Sequence, residues 1–355
     1  MATTYTIPNG AQYMAATLWT GTGAAQTITN GVAGKSFQPD FIWIKSRANA
    51  DYHNVNDVVR GIVVTGSPNI FPNTFDAQAT FTGYGVSALN SNGFNLIGNG
   101  SYTNASGQSY VGWQWKAGGT AVSNTSGSLT SSVSANTTAG FSVVTYTGNS
   151  STTQTVGHGL GAIPSLIIAK CTSLGSTNWV VYNSNISNPL SNFVSLNRTD
   201  TNINVANYWG ASLPTSSVFG VAAGGYDNNQ NGQSQVAYCF APIAGYSAFG
   251  VYTGNGSADG PFIYTGFRPR LVIFKAISGS AYNWDIMDTT RSPYNASNLA
   301  LNPNLADVES SPTTIDFLSN GIKIRQSSSG NNNDNGSQYL YMAWAENPFK
   351  YANAR

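Results

Sequence analysis

The stretch GFRPRLVIFK, Gly266 to Lys275, decides the fold, because its core is written three times. FQPDFIWIK runs from Phe37 to Lys45, AIPSLIIAK from Ala162 to Lys170 and FRPRLVIFK from Phe267 to Lys275. In each, a Pro and one polar residue open a four-residue apolar run that ends on Lys. Pro39, Pro164 and Pro269 are 125 and 105 residues apart, and Lys45, Lys170 and Lys275 repeat both separations, so the register holds. A run this short behind a Pro is too brief for a buried helix and reads as a core strand with apolar residues on both faces. The Pro suits the first strand position, where its missing N–H does least harm to the ladder.

Four further landmarks recur in the same order around that strand. An aromatic and Thr-Gly precede it, in LWTGTG (Leu18 to Gly23), TYTGNS (Thr145 to Ser150) and VYTGNG (Val251 to Gly256). Each reads as a strand entering a tight turn, with Gly21, Gly148 and Gly254 free to take positive φ. After it come DYHNVNDVVRG from Asp51, NWVVYN from Asn178 and NWDIMDTTR from Asn283, with His53 in the aromatic slot of Trp179 and Trp284. NSNGFNL (Asn90 to Leu96), SSVFGV (Ser216 to Val221) and LSNGIKI (Leu318 to Ile324) each release a short alternating strand from a turn. SGQSYVGWQW, NGQSQVAYCF and NGSQYLYMAW close the copies at Trp115, Phe240 and Trp344. Five landmarks in one order mean tandem triplication.

The copies occupy residues 16–117, 141–245 and 246–355, behind an N-terminal segment, residues 1–15. Between the first two lies a Gly/Ser/Thr-rich stretch, residues 118–140, without charge or aromatic, which reads as a flexible linker. Alternatively, Leu129 and Val133 fall on one face of an extended segment and add an edge strand. No such spacer parts the second copy from the third, and these are expected to pack as a rigid pair. Gly, Ser, Thr and Asn abound and no helical periodicity is sustained. The chain is therefore expected to be all-β: three tandem antiparallel β-sandwich, jelly-roll-like domains in a row, each closing its own two-layer interior.

Only 8% of residues are charged and the formal net charge is +1, which leaves no electrostatic footprint for nucleic acid. No apolar run is long enough to span a bilayer, and MATTYTIPNG lacks the basic and apolar parts of a signal peptide. Neither membrane insertion nor secretory export is expected. Cys171 and Cys239 do not make a disulfide scaffold, and buried free thiols are expected, with a bridge left open. The charges divide as nine in residues 1–140, four in 141–245 and sixteen in 246–355. A surface made of Asn, Ser, Thr and Gln in the middle copy either stays solvated or meets subunits or neutral sugar.

Catalytic constellations are hard to assemble. His53 and His158 are the only histidines, and neither has a partner at triad or metal spacing. His53, in the place of Trp179 and Trp284, reads as a packing residue. Asp285, Asp288, Asp307 and Glu309 all belong to the third copy, whereas glycoside hydrolysis needs two acids across a cleft. Asp57 and Asp288, three residues before Arg60 and Arg291, read as structural ion-pair or cap residues. Lys45 and Lys275 are expected beside those acids, with Lys170 opposite the neutral Asn183. DNNQNG and NNNDNG offer one Asp each, too few for a calcium loop, and read as hairpin turns. No catalytic residue, metal site or cofactor is expected. Tyr102, Tyr208, Trp209, Tyr226 and Tyr282 lie in turn-rich segments and are the candidate ligand contacts. Exposed rings beside amides are how a neutral protein holds sugar.

VGHGLGAIPSLIIAK, YCFAPIAGYSAFG, YTGNGSADGPFIYTGFRPRLVIFK, DTTRSPYNASN and the ending YMAWAENPFKYANAR together resemble a repeated module of bacteriophage tail-fibre-like and other virion structural proteins. The resemblance is strong from Gly140 onward and looser from Ala16 to Ala117, where His53 replaces the motif's Trp. It implies a virion component made in the host cytoplasm and exposed on the particle: a tail fibre or receptor-binding protein contacting host-surface glycan. The partners it implies are other virion proteins and a host glycan or receptor, and homo-oligomerisation is expected. It supplies no catalytic residue. The alternatives are a capsid decoration or head-fibre protein without receptor, and a polysaccharide-degrading enzyme.

Overall fold

The thrice-written run forms the strands Phe41–Ser46, Leu166–Cys171 and Pro269–Ala276, and every residue in them is buried. The structure, a computed structural model, describes residues 7, 9–31, 34–222, 227–311, 313–327 and 330–345. It is all-β, with antiparallel sheets and, among the described residues, one 3₁₀ turn at Gly10–Gln12. No helix among those residues is long and apolar enough to cross a membrane.

Each core strand lies between two others of its own copy. On one side is a closing strand (Ser109–Trp115, Ser234–Phe240, Gln338–Ala345) and on the other an outer strand (Asn54–Asp57, Trp179–Asn183, Asp285–Asp288). An opening strand (Met14–Thr20, Phe141–Thr147, Ser247–Thr253) flanks the closing strand. The register agrees as well as the order: Phe41 pairs with Trp115, Leu166 with Phe240 and Leu271 with Trp344. A second, smaller sheet is built in each copy from Gln26–Thr29, Gly93–Ile97 and Gly85–Asn90, from Gln154–Gly157 and Val218–Val221, and from Phe262–Tyr264, Gly321–Ile324 and Ile315–Leu318.

Side-chain alternation along the core strand explains why the run is apolar throughout. Ile42 and Ile44 face the small sheet of their copy and pack with Ile28, Phe94 and Leu96, as Ile167 and Ala169 pack with Val156 and Phe219. The alternate residues point the other way, and there the copies meet. Phe41, Trp43, Leu166, Ile168, Leu271 and Ile273 belong to one continuous apolar interior. Trp115, Phe240 and Trp344, one from each copy, touch pairwise with ring centroids 5.3 to 6.4 Å apart. A void of about 20 Å³ beside them is lined from all three copies and has no polar surface.

The copies are thus arranged around a common axis, not in a row: the first and second each enclose an apolar layer between main and small sheet, while the other apolar face of every copy is closed only by its sisters. A four-stranded sheet that is apolar on both faces can cover one face with its own small sheet. The second face needs equivalent faces from elsewhere, and the other two copies supply them. Residues 118–140 are also more than a linker. Val122–Asn124 and Ser131–Asn136 are strands, the latter pairing with the opening strand of the second copy from Ser131 opposite Tyr146 to Asn136 opposite Phe141. Together with Asn192–Ser195 and Ile203–Asn204 they widen the main sheet of that copy to eight strands. Val133 is buried and Leu129 packs beside it in the interior of the second copy. A segment poor in apolar residues becomes a strand because an open sheet edge offers its ladder and two side chains suffice to seat it.

Cys171 and Cys239 are buried free thiols. Cys239 pairs with Ile167, four residues along the core strand from Cys171, a separation of about 13 Å at strand rise. That is too far for a disulfide.

Candidate functional site

Two features stand apart from ordinary core: the polar seams where the copies meet, and a group of aromatic rings at the surface of the first copy. The seams come first because they decide which side chains are available elsewhere. Trp179 at the start of an outer strand donates its indole N–H to the Phe71 carbonyl of the first copy (2.9 Å), and Trp284 donates to the Ser195 carbonyl of the second (3.0 Å). In the first copy, His53 takes this position and its Nε2 meets the Asn302 carbonyl of the third copy at 3.0 Å. The substitution of Trp by His keeps the contact and closes a cycle of three.

A second cycle runs through the acids. Asp57 accepts Arg60 Nε at 2.5 Å and the backbone N–H groups of Val59 and Arg60, and Asp288 repeats this with Arg291 Nε at 2.6 Å and the N–H groups of Thr290 and Arg291. The Asp288–Arg291 pair is fully buried, and the Asp57–Arg60 pair nearly so. The remaining valence of each acid reaches into another copy: Tyr238 donates its hydroxyl to Asp57 (2.7 Å) and Trp113 its indole N–H to Asp288 (3.0 Å). At the third seam the corresponding residues are Asn183, Ile186 and Met342, so acid, Arg and donor are absent together. The ion-pair reading of Asp57 and Asp288 holds with Arg as the partner.

Lys45 and Lys275 do not pair with those acids. Both are fully buried, and so is Lys170. Lys45 Nζ donates to the carbonyls of Ser46 and Asn49, Lys170 Nζ to those of Thr177 and Phe75, and Lys275 Nζ to those of Thr199 and Tyr282. Phe75 and Thr199 belong to the preceding copy in each case. Strand parity is the reason, since each Lys shares the axis-facing side with the apolar residues two and four positions before it and reaches the end of the seam, not its middle. Burial pushes all three amines down to about 8.

The Asn-rich closing loops are pinned from inside. Asn104, Asn229 and Asn333 are buried, and each side-chain oxygen accepts the N–H of Thr22, Asn149 or Asn255 in the opening turn. Each side-chain amide donates to two carbonyls, as Asn333 does to Ser257 and Gln326. Gly21, Gly148 and Gly254 sit against these loops. Close approach, not positive φ, demands glycine there: a Cβ would lie 2.2 to 2.4 Å from the backbone oxygen of Ala105, Gln230 or Asp334. Among the described residues no group of His, Cys, Asp and Glu is arranged to hold a metal ion. His158 is likewise buried and structural, its Nε2 at the Thr215 carbonyl and its Nδ1 accepting the Leu160 N–H.

The five candidate aromatics separate into different environments. Tyr208 and Trp209 are core residues of the second copy, where Tyr208 stacks on Phe193 at 3.9 Å and donates its hydroxyl to Asp227, while Trp209 meets Tyr182 edge-on. Their loop folds inward under the outer strands and uses the rings to fill the sandwich. Tyr282 is half-buried and tied by its hydroxyl to Asp334 at 2.6 Å. Tyr226 lies outside the described residues.

Tyr102 keeps the position expected of it and has company. Its ring runs parallel to Tyr52 at 5.9 Å, and it contacts Phe71 and Phe81 at 5.5 and 5.9 Å. Phe81 in turn stacks with Tyr84 at 5.2 Å. Phe71 is the buried floor of this group, and Tyr52 is 40% exposed, with Phe81, Tyr84 and Tyr102 half-buried around it. Burial raises the Tyr102 hydroxyl above its ordinary value, and neighbouring Tyr84, Tyr52, Asp51 and Asp76 add to the shift. The surface therefore offers two parallel ring pairs, phenolic hydroxyls and acidic oxygens close together. Tyr52, Phe81 and Tyr84 were not among the candidates, although DYH and TFTGYG place each beside a turn.

A family model described as "Domain of unknown function (DUF7483)" matches residues 9–348, a span that covers the first two copies and all but the last seven residues of the third. No curated protein and no solved structure matches the chain.

Proposed function

The chain belongs to the DUF7483 family, and we propose that it is a non-enzymatic virion surface protein, a tail fibre or receptor-binding protein that attaches to neutral glycan on a host cell. The single observation that carries this reading is the aromatic group Tyr52, Tyr102, Phe81 and Tyr84, four rings packed together at the surface with Tyr52 exposed and the others half-buried. Ring faces take the C–H face of a sugar, and Tyr hydroxyls with Asp51 and Asp76 take its hydroxyls. Those two acids disfavour anionic sugars at the same surface. The resemblance of the repeated module to tail-fibre-like proteins supports the placement on a particle. Many copies on one virion convert weak single contacts into firm attachment.

The test is adhesion of the purified protein to host cells and to arrayed neutral glycans. Binding is expected, and the Tyr52→Ala/Tyr102→Ala double variant is expected to lose about tenfold or more in affinity, the order of two stacking contacts. Equal binding by the double variant moves the site elsewhere. No binding by the native protein, with antibody marking it on the capsid, favours the decoration reading; release of sugar fragments favours an enzyme.

A further inference from the structure

Of the three positions that tie one copy to the next, two hold a side chain that cannot titrate near neutrality, Trp179 and Trp284, and one holds His53. His53 is completely buried. Its two ring nitrogens are committed: Nδ1 lies 2.9 Å from the indole Nε1 of Trp43 and Nε2 lies 3.0 Å from the Asn302 carbonyl. An indole N–H only donates, so Nδ1 is the acceptor and carries no proton, and Nε2–H is the donor across the seam. A second proton has one place to go, Nδ1, where it would face the Trp43 N–H head on.

The surroundings give that proton no counter-charge. The charged groups that bear on the ring are Lys45, from the core strand of the first copy, and Arg291, beyond the outer strand of the third, and both are cations. The carboxylates near them are engaged: Asp288 with Arg291, Glu309 with Arg47 and Arg291, while Asp51 and Asp307 act on Lys45. Burial, followed by Lys45, holds the imidazole well below its ordinary value, although the backbone carbonyls of Asn302 and Leu305 favour its protonated form. The same seam carries the Arg47–Glu309 pair at 2.7 Å and the backbone bond from Glu309 N–H to the Arg47 carbonyl.

We propose that His53 is an acid-operated clasp between the first and third copies: protonation at Nδ1 breaks the Trp43–His53–Asn302 chain and parts that seam while the other two stay closed. One proton is taken from solvent, the Trp43 N–H loses its acceptor, and no covalent bond changes. The opening unit is the joint where the two ends of the triplicated chain meet, so parting it turns a closed ring into an open arc without separating any chain.

The test is hydrogen exchange on the full chain at pH about 7.5 and about 4.5, with rates corrected for the intrinsic chemistry. The expected result is exchange faster by about tenfold or more at the lower pH in residues 53–57 and 300–310, with 179–183 and 192–196 unchanged. His53→Gln accepts from Trp43 through its oxygen and donates to Asn302 through its amide, without titrating. It is expected to keep residues 53–57 and 300–310 protected at both pH values. Native protein with no difference between seams, or the Gln variant opening at the same pH as the native chain, overturns the proposal and in the second case assigns the trigger to Glu309 or Asp288. Should the Gln variant fail to fold at neutral pH, the native protein decides. The ¹⁵N titration of the His53 imidazole must then share its midpoint with the opening of the seam, and opening while the ring stays neutral overturns the idea.

Discussion

The seam between the first and second copies and the seam between the second and third are built on one plan and filled differently. Both carry a Trp donating to a carbonyl and a Lys donating to another. At the first, Tyr238 also reaches Asp57, which Arg60 neutralises. At the second, the corresponding positions are Met342, Asn183 and Ile186, and the Asn183 oxygen is satisfied locally by the N–H groups of Asn185. The difference teaches that the buried acid, its Arg and its cross-seam donor form one unit. A buried carboxylate that loses its Arg, or a buried Arg that loses its acid, is strongly destabilising unless neutral donors take over, so the three positions are expected to exchange together.

The largest expected effect is at the charged seams. Asp57→Ala leaves the buried Arg60 guanidinium unpaired and is expected to destabilise the fold by about 3–5 kcal/mol, Asp288→Ala, which leaves Arg291 its bond to Glu309, by less, whereas Asn183→Ala loses a neutral contact worth about 1 kcal/mol. Denaturant melts measure all three; equal costs would erase the distinction. Next comes Asn183→Asp, which places a carboxylate where no Arg stands and should cost about 2–4 kcal/mol near neutral pH. Adding Ile186→Arg and Met342→Tyr should recover part of that cost. Failure of the triple variant to improve on the single one would mean that the unit does not transplant.

Titration gives a further contrast. Lys45, Lys170 and Lys275 hold protons less tightly when folded, at about 8, than the ordinary 10.5. The unfolded chain thus binds more protons between those values, and stability should rise with pH across that window. Asp285 works in the opposite sense: burial raises it from 3.8 to about 6, although Thr313, Asn331 and Asn302 donate to it. There the folded chain binds more protons, so stability should fall as pH rises through the interval, and Asp285→Asn should flatten that slope. Thermal melts at closely spaced pH values resolve both trends. A smaller effect than at the charged seams is expected from Trp179→Phe and Trp284→Phe, which strand a buried carbonyl and should each cost about 1–2 kcal/mol. Markedly unequal losses would show that the two indole bonds are not equivalent.

The triplication and the core strands were legible in the sequence because both are local patterns. Pro39, Pro164 and Pro269 mark the strand entry, and an apolar run without alternation states that both faces are covered. What covers the second face is a relation between distant segments, and nothing in FQPDFIWIK says whether the neighbour is a private sheet or two sister copies. The lysines misled for a related reason: sequence shows charges but not carbonyls, and Phe75 and Thr199 expose theirs only once the copies have docked. Tyr208 and Trp209 looked like surface rings because they sit among turn residues, yet a loop can carry its aromatics inward. Tyr102 was legible, while the neighbours that give it meaning lie 50, 21 and 18 residues away as Tyr52, Phe81 and Tyr84.

The one-way direction of the Trp and His contacts has a consequence for fragments. Each copy gives a donor to the copy before it and an acceptor to the copy after it, so three copies close and leave neither hand empty. A piece holding two copies would carry a bare donor at one end and a bare carbonyl at the other. Head-to-tail joints that do not close grow into chains, so such truncations should polymerise or domain-swap more readily than the three-copy chain.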